Sequence, residues 1–421
     1  MTCNLLHLND FHIQLLNQEG ELLTSSGQLV FESGQLLSGQ EALEQVRKKP
    51  LHSYNHHWQQ LNQTPIKLPD PRYRHHADLA YRQLEQWLGA MDQNHSLIIA
   101  PCYRYQQTQY ALLAGMLQAL NIQPAGFVHS ALLHSYGFLK VQGNNQWPLV
   151  HVDLCLHQAH ITQLDYRDNQ LVIEREWDIP DCGIWPLMNA WMKIVAQSCI
   201  QQTRYNPLHS AESEQRLFNQ WSSALSQLTQ NLQIELDIDG KVVELSRTQF
   251  TPLTEQLRAQ IAETQGLITL SPIAQLIPGL SGANLNDDHL HVALCELTHE
   301  FDGPTQLHLS LPLPNSVLAQ EARADTEAKA MRPSHLLINE TAYPLSAYRS
   351  LQLQGAHLIA STERKAAITF NESDDYWLCD TQLNCMLNGN TVTGIFTIKP
   401  GQTLIYANQN IQLIKVHENG A

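Results

Sequence analysis

Residues 149–164 constrain this chain more than any other stretch. Apolar residues Leu149, Val150 and Val152 run up to a single acid, Asp153, and Leu154 follows. A short break over Cys155, Leu156, His157 and Gln158 comes next, and alternation resumes at Ile161, Thr162 and Leu164. The pattern predicts a strand, a tight turn and a second strand. Val152 and Leu154 imply a buried sheet position, where a thiol such as Cys155 is inert rather than reactive.

The same pattern opens the chain. Residues 4–16 predict a strand, a turn at Asn9 and Asp10, and a return strand, and a third strand pair follows over 28–37. A capped helix is expected from Ser38, ended by Pro50. Helices are predicted over 77–88 and 106–120, and strands over 96–101 and 124–129. That order of strand, helix and strand predicts a crossover unit of an α/β sheet. Further helices are expected over 187–199, from Ser210, and over 251–264. The clearest hairpin signal is Asp239-Gly240 between the alternating runs 232–238 and 241–246. Residues 290–296 alternate as a strand, and 315–334 carry many charges and predict a solvated helix or linker. From Leu336 onward, short alternating segments broken by Gly and Asn predict a small all-β sandwich. The expected organisation is an α/β domain over 1–285, a strand and linker region over 286–334, and a β module over 335–421.

Composition narrows the function classes. The 421 residues carry a formal net charge of -15 and only 15% charged residues. With no long basic run, nucleic-acid binding is not expected, because it depends on Lys and Arg neutralising phosphates. No apolar run reaches the roughly 20 residues of a membrane helix, so no membrane insertion is expected. The eight cysteines are scattered with no CxxC pair. Free thiols in a reducing, cytoplasmic setting are the expectation. His56, His57, His75, His76, His129, His134, His157 and His160 invite a metal hypothesis. No HxxxH frame supports them, and polar surface is the expectation.

The order of landmarks over residues 3–280 resembles that of the seventy-kilodalton heat-shock chaperones, within the actin-like ATPases. Residues 34–42 are similar to the segment before that family's first helical insertion, and 54–61 to its aromatic-basic segment. Residues 96–101 resemble its strand ending in proline, and 106–137 its helix, strand and alanine-rich helix. Residues 213–226 look like the helix before its β hairpin, 245–253 like the lead into its next long helix, and 270–280 like its adenosine loop. The resemblance implies an actin-like, ribonuclease-H-like two-lobed fold, with ATP and magnesium as cofactors. The tail, with Asn388, Gly389 and Gly401, is similar to forkhead-associated sandwiches.

The departures bear on function. The family's first phosphate loop is represented by Asp10, Phe11 and His12, so only the acid remains. In the second, Asp153 stands, but Cys155, Leu156 and His157 take the glycine places and Gln158 the threonine place. The catalytic lysine falls at Gln59, and the water-ordering acid at Val128 or His129. Asp10 and Asp153 could place magnesium, or could equally be acids that form tight turns. Keeping a glycine-type turn with Leu156 and His157 would cost about 1–3 kcal/mol of strain. The expectation is therefore a chaperone-related pseudo-ATPase with weak or absent hydrolysis, acting as a protein-binding scaffold or adaptor. The alternatives are a divergent ATP-dependent chaperone, or an actin-fold assembly-platform subunit of a pilus or secretion system.

Overall fold

The computed structural model describes residues 3–89, 96–143, 146–301, 306–314, 317, 334–354, 357–362, 366–372, 377–387, 390–398 and 402–414. The chain divides into two compact units, Met1–Leu318 and Ala319–Ala421.

The first unit opens with a meander, β1 (Cys3–Leu8), β2 (Ile13–Leu16) and β3 (Leu22–Ser25). A small sheet follows, of β4 (Leu29–Glu32), β5 (Gln35–Ser38) and β6 (Ser53–Tyr54), with α1 (Gly39–Leu43) between its last two strands. Helix α2 (His76–Leu88) leads to β7 (Ser96–Pro101), and α3 (Gln107–Ala119) leads to β8 (Pro124–Val128) and α4 (Ser130–Gln142). A second meander comprises β9 (Leu149–Leu154), β10 (Gln158–Arg167) and β11 (Gln170–Pro180). Helices α5 (Ile184–Thr203) and α6 (Ala211–Gln230) precede the hairpin β12 (Gln233–Ile238) and β13 (Lys241–Ser246). The unit continues through α7 (Glu255–Ala262), β14 (Leu267–Leu270), β15 (Ala283–Asn284), α8 (Asp287–Leu297), β16 (Leu307–His308) and β17 (Ser310–Pro312).

Two six-stranded sheets result, in the orders β16-β8-β7-β1-β2-β3 and β15-β14-β9-β10-β11-β17. In each, an antiparallel meander supplies the first three strands. Two later strands then add in parallel beside the first one. The turn after β1 and the turn after β9 therefore occupy equivalent places in the two sheets. Asp10 lies in the first turn, and Asp153 is the last but one residue of β9.

Local sequence explains the helices that frame these turns. Ser210 caps α6 by accepting the Ser213 amide at 3.2 Å, and Glu212 and Glu214 sit in its first turn, where the helix dipole favours acids. Leu217, Phe218, Trp221, Ala224, Leu225 and Leu228 recur at three- and four-residue spacing and are buried against α5 and the β12–β13 hairpin. Each large side chain buried this way stabilises by roughly 1.5–3 kcal/mol.

The predicted strand over 290–296 is instead the helix α8. Asn286 caps it by accepting the His289 amide at 3.3 Å, and Asp287 and Asp288 fill its first turn. Leu290, Leu294 and Leu297 share one face of that helix and join the core with α4. The contact is close because Gly137 lies in α4: a Cβ there would stand 1.9 Å from the His289 carbonyl oxygen. Gly137→Ala is expected to destabilise the protein by about 1–3 kcal/mol, since backbone rather than a flexible side chain must yield. A thermal melt matching wild type would contradict that packing. Residues 307–312 add edge strands to the two sheets. Of the predicted helix or linker over 315–334, all but Val317 and Ser334 lie outside the described residues.

The second unit is all-β, as expected. Its strands are β18 (His335–Ile338), β19 (Thr341–Pro344), β20 (Ser350–Gln354), β21 (His357–Ser361), β22 (Ile368–Glu372), β23 (Trp377–Leu387), β24 (Asn390–Ile398), β25 (Thr403–Tyr406) and β26 (Gln409–Ile414). They form one continuous antiparallel sheet, nearly closed like a barrel, where two stacked sheets were predicted. The Gln409 side chain links the far strands, bonding the Leu358 amide at 2.5 Å and its carbonyl at 3.2 Å. Asn388, Gly389 and Gly401, on which the forkhead-associated resemblance rests, lie outside the described residues.

Candidate functional site

The turns after β1 and β9 meet directly. Leu156 donates its backbone N–H to Asp10 Oδ1 at 2.7 Å, and the Tyr103 hydroxyl donates to Asp10 Oδ2. Asn9 Nδ2 donates to Asp153 Oδ2 and to the Leu154 carbonyl, both at 3.0 Å. The other Asp153 oxygen accepts the Leu154 amide at 2.9 Å. Both acids are buried. Burial pushes the Asp10 carboxyl up to about 6, although the Tyr103 and Leu156 hydrogen bonds pull it back.

The tip of the hairpin does not keep a glycine-type turn, so the strain such a turn would cost does not arise. None of Cys155, Leu156 and His157 has a positive φ. The tip closes instead through the Cys155 amide on the Gln158 carbonyl at 3.0 Å. Its outer carbonyls accept the first amides of α5, Ile184 on Cys155 at 2.9 Å and Trp185 on Leu156 at 2.7 Å. One glycine still serves this turn, from outside it. A Cβ on Gly183 would fall 2.3 Å from the Gln158 nitrogen.

The structure brings the remaining predicted residues together only in part. Gln59 Nε2 donates to Gln158 Oε1 at 2.8 Å, and Gln158 Nε2 lies 3.3 Å from His160 Nε2. His160 Nδ1 is 2.6 Å from Asp178 Oδ1. These four side chains form a polar relay along β10 and β11. His12 is half-buried, its amide donating to the Asn9 carbonyl at 2.9 Å. Burial holds its imidazole below the usual range. His129 is buried and caps α4, accepting the Ala131 amide at 3.2 Å, while Val128 is core.

Phe11 points away from Asp10 and packs edge-on against Trp221 of α6, ring centres 5.6 Å apart. Beside it, Gln215 of α6 donates to the Leu43 carbonyl at 2.8 Å and accepts the Arg47 amide at 2.9 Å. The Arg47 guanidinium lies 4.4 Å from the Trp185 ring centre and 3.6 Å from Glu214. A cavity of about 620 Å³ remains between α1 and α6, lined by Phe11, Leu43, Glu44, Lys48, Arg216 and Trp221 among others.

The histidines overturn the expectation of polar surface. His57, His76, His129, His134 and His160 are buried, as are His7 and His151. His134 stacks near His151, ring centres 5.3 Å apart, and meets His7 edge-on at 5.1 Å. Sequence spacing also missed a cluster. Cys102 follows β7, and its Sγ lies 2.6 Å from Cys155 Sγ. The ligand atoms of Cys102, Cys155 and His160 all lie within 4.8 Å of one another. A signal existed in the cysteines that follow β7 and β9, but only the fold makes them neighbours. Among the described residues, no helix is long and apolar enough to cross a membrane.

The chain matches no protein-family model and no curated protein.

Proposed function

We propose that this chain is a chaperone-related pseudo-ATPase of actin-like architecture that works as a cytoplasmic protein-binding scaffold or adaptor. The observation that carries this is the bond from the Leu156 amide to Asp10. A phosphate-binding turn needs free backbone N–H groups aimed at the anion. Here that amide is spent on a carboxylate of the opposite loop. Asp10 and Asp153 each use both oxygens within the protein, which argues against water-mediated magnesium at either acid. Gln59, at the lysine place, is neutral and holds Gln158. The repeated strand order of the two sheets supports an actin-like reading, and eight free cysteines support a reducing compartment.

The scaffold role is supported by the second unit. Among the described residues, β24 pairs only with β23, and Ile395 is exposed along its nine-residue length. A long free edge of this kind suits strand addition by a protein partner.

Titration of the full chain with ATP and magnesium by calorimetry tests the first half of the proposal. No binding heat and no ligand-induced rise in melting temperature are expected, whereas saturation at 100 Kd would add about 2.7 kcal/mol. Micromolar binding abolished by Asp153→Ala would instead favour a divergent ATP-dependent chaperone.

A further inference from the structure

We propose that Cys102, Cys155 and His160 form a zinc site that ties the two sheets of the first unit together. Cys102 leaves the end of β7 in one sheet, while Cys155 and His160 belong to the β9–β10 hairpin of the other. All three side chains are buried, and their ligand atoms converge within 4.8 Å. Two thiolates and an imidazole are a preferred zinc set, and with three protein ligands one position stays open.

Two features favour this assignment. The first is orientation. Asp178 Oδ1 accepts from His160 Nδ1 at 2.6 Å, which leaves Nε2 as the coordinating atom, and metal-bound histidines are commonly oriented by such a carboxylate. Nε2 lies 3.3 Å from Gln158 Nε2, a contact that a metal bond replaces. The second is charge. Binding converts two thiols to thiolates and releases two protons to solvent, so the cation and its ligands sum to zero, which suits a buried place. Two bonds of about 2.3 Å at a tetrahedral angle require the sulfurs to part from 2.6 Å by roughly 1 Å. Both cysteines lie at strand ends.

The test uses the full chain, purified with a reductant and without chelator. The exposed Cys295, 3.5 Å from His291, is removed by Cys295→Ser so that it cannot contribute. One equivalent of zinc per chain is expected by elemental analysis. Cobalt substitution is expected to give thiolate-to-metal charge-transfer absorption. Cys102→Ser and Cys155→Ser should abolish stoichiometric binding, and Asp178→Asn should weaken it about 10–100-fold at unchanged stoichiometry. Should the serine variants fail to fold, the cobalt spectrum of the Cys295→Ser protein decides alone. Absence of that band, zinc retained by a folded Cys102→Ser/Cys155→Ser chain, or a Cys102–Cys155 disulfide found by mass spectrometry in its place would each overturn the proposal.

Discussion

Acidification is expected to unfold the first unit near pH 5. Burial lowers His57 and His129 to about 3 and His151 to about 4, and holds His134 well below the usual range. Half-buried His157 is lowered to about 4. For a base depressed in the folded state, the native protein binds fewer protons than the unfolded chain. The stability it contributes is complete above pH 6.5 and is lost as pH falls toward the folded value. At pH 5 each such histidine sits about 1.5 units below its unfolded pKa, which is about 2 kcal/mol. The four buried ones together approach the roughly 5–15 kcal/mol that holds an ordinary domain folded. Asp10, Glu176 and His160, whose folded values are raised, oppose the trend. Near-ultraviolet circular dichroism followed from pH 8 to 4 should show cooperative loss of signal. A spectrum unchanged at pH 4 would refute the assignment of neutral, buried imidazoles.

Asp10→Asn is expected to raise stability at pH 7.5. The folded pKa of Asp10 is raised from 3.8 to about 6, chiefly by burial. An acid raised in this way contributes fully below pH 3.8, and that contribution disappears as pH climbs through 6. At pH 7.5 the ionised form therefore costs about 3 kcal/mol. An amide keeps an oxygen for the Leu156 N–H and can donate to the Tyr103 oxygen. A gain of about 1–3 kcal/mol in urea unfolding is expected. Asp10→Ala should fall below Asp10→Asn, because the Leu156 amide and the Tyr103 hydroxyl lose their acceptor, at about 1–3 kcal/mol each. If the asparagine variant unfolds earlier than wild type, Asp10 is held there as a favourable charge and its buried role is misassigned.

Much of the first unit was legible because its signals are local. The β9–β10 hairpin, the Asp239-Gly240 turn and the capped amphipathic helix α6 each follow from alternation, turn residues or three-four spacing. Helix α8 was misread because Leu290, Val292 and Leu294 alternate as a strand does, while Asn286, Asp287 and Asp288 gave the competing cap signal. The site was less legible. Asp10 and Asp153 could be singled out, but what their oxygens accept could not. The partner of Asp10 is an amide 146 residues away. The thiol pair is separated by 53 residues, and short-range metal motifs are blind to such a pairing. The buried histidines were missed because composition alone assigns an uncharged polar residue to the surface.

The bond between Leu156 and Asp10 also bears on what redesign of this turn would require. Placing glycine at positions 155–157 would not by itself open a phosphate cradle. Asp10, Tyr103 and Asn9 would still clamp the turn, and α5 would still hold its outer carbonyls. Several replacements would have to be made together to open one.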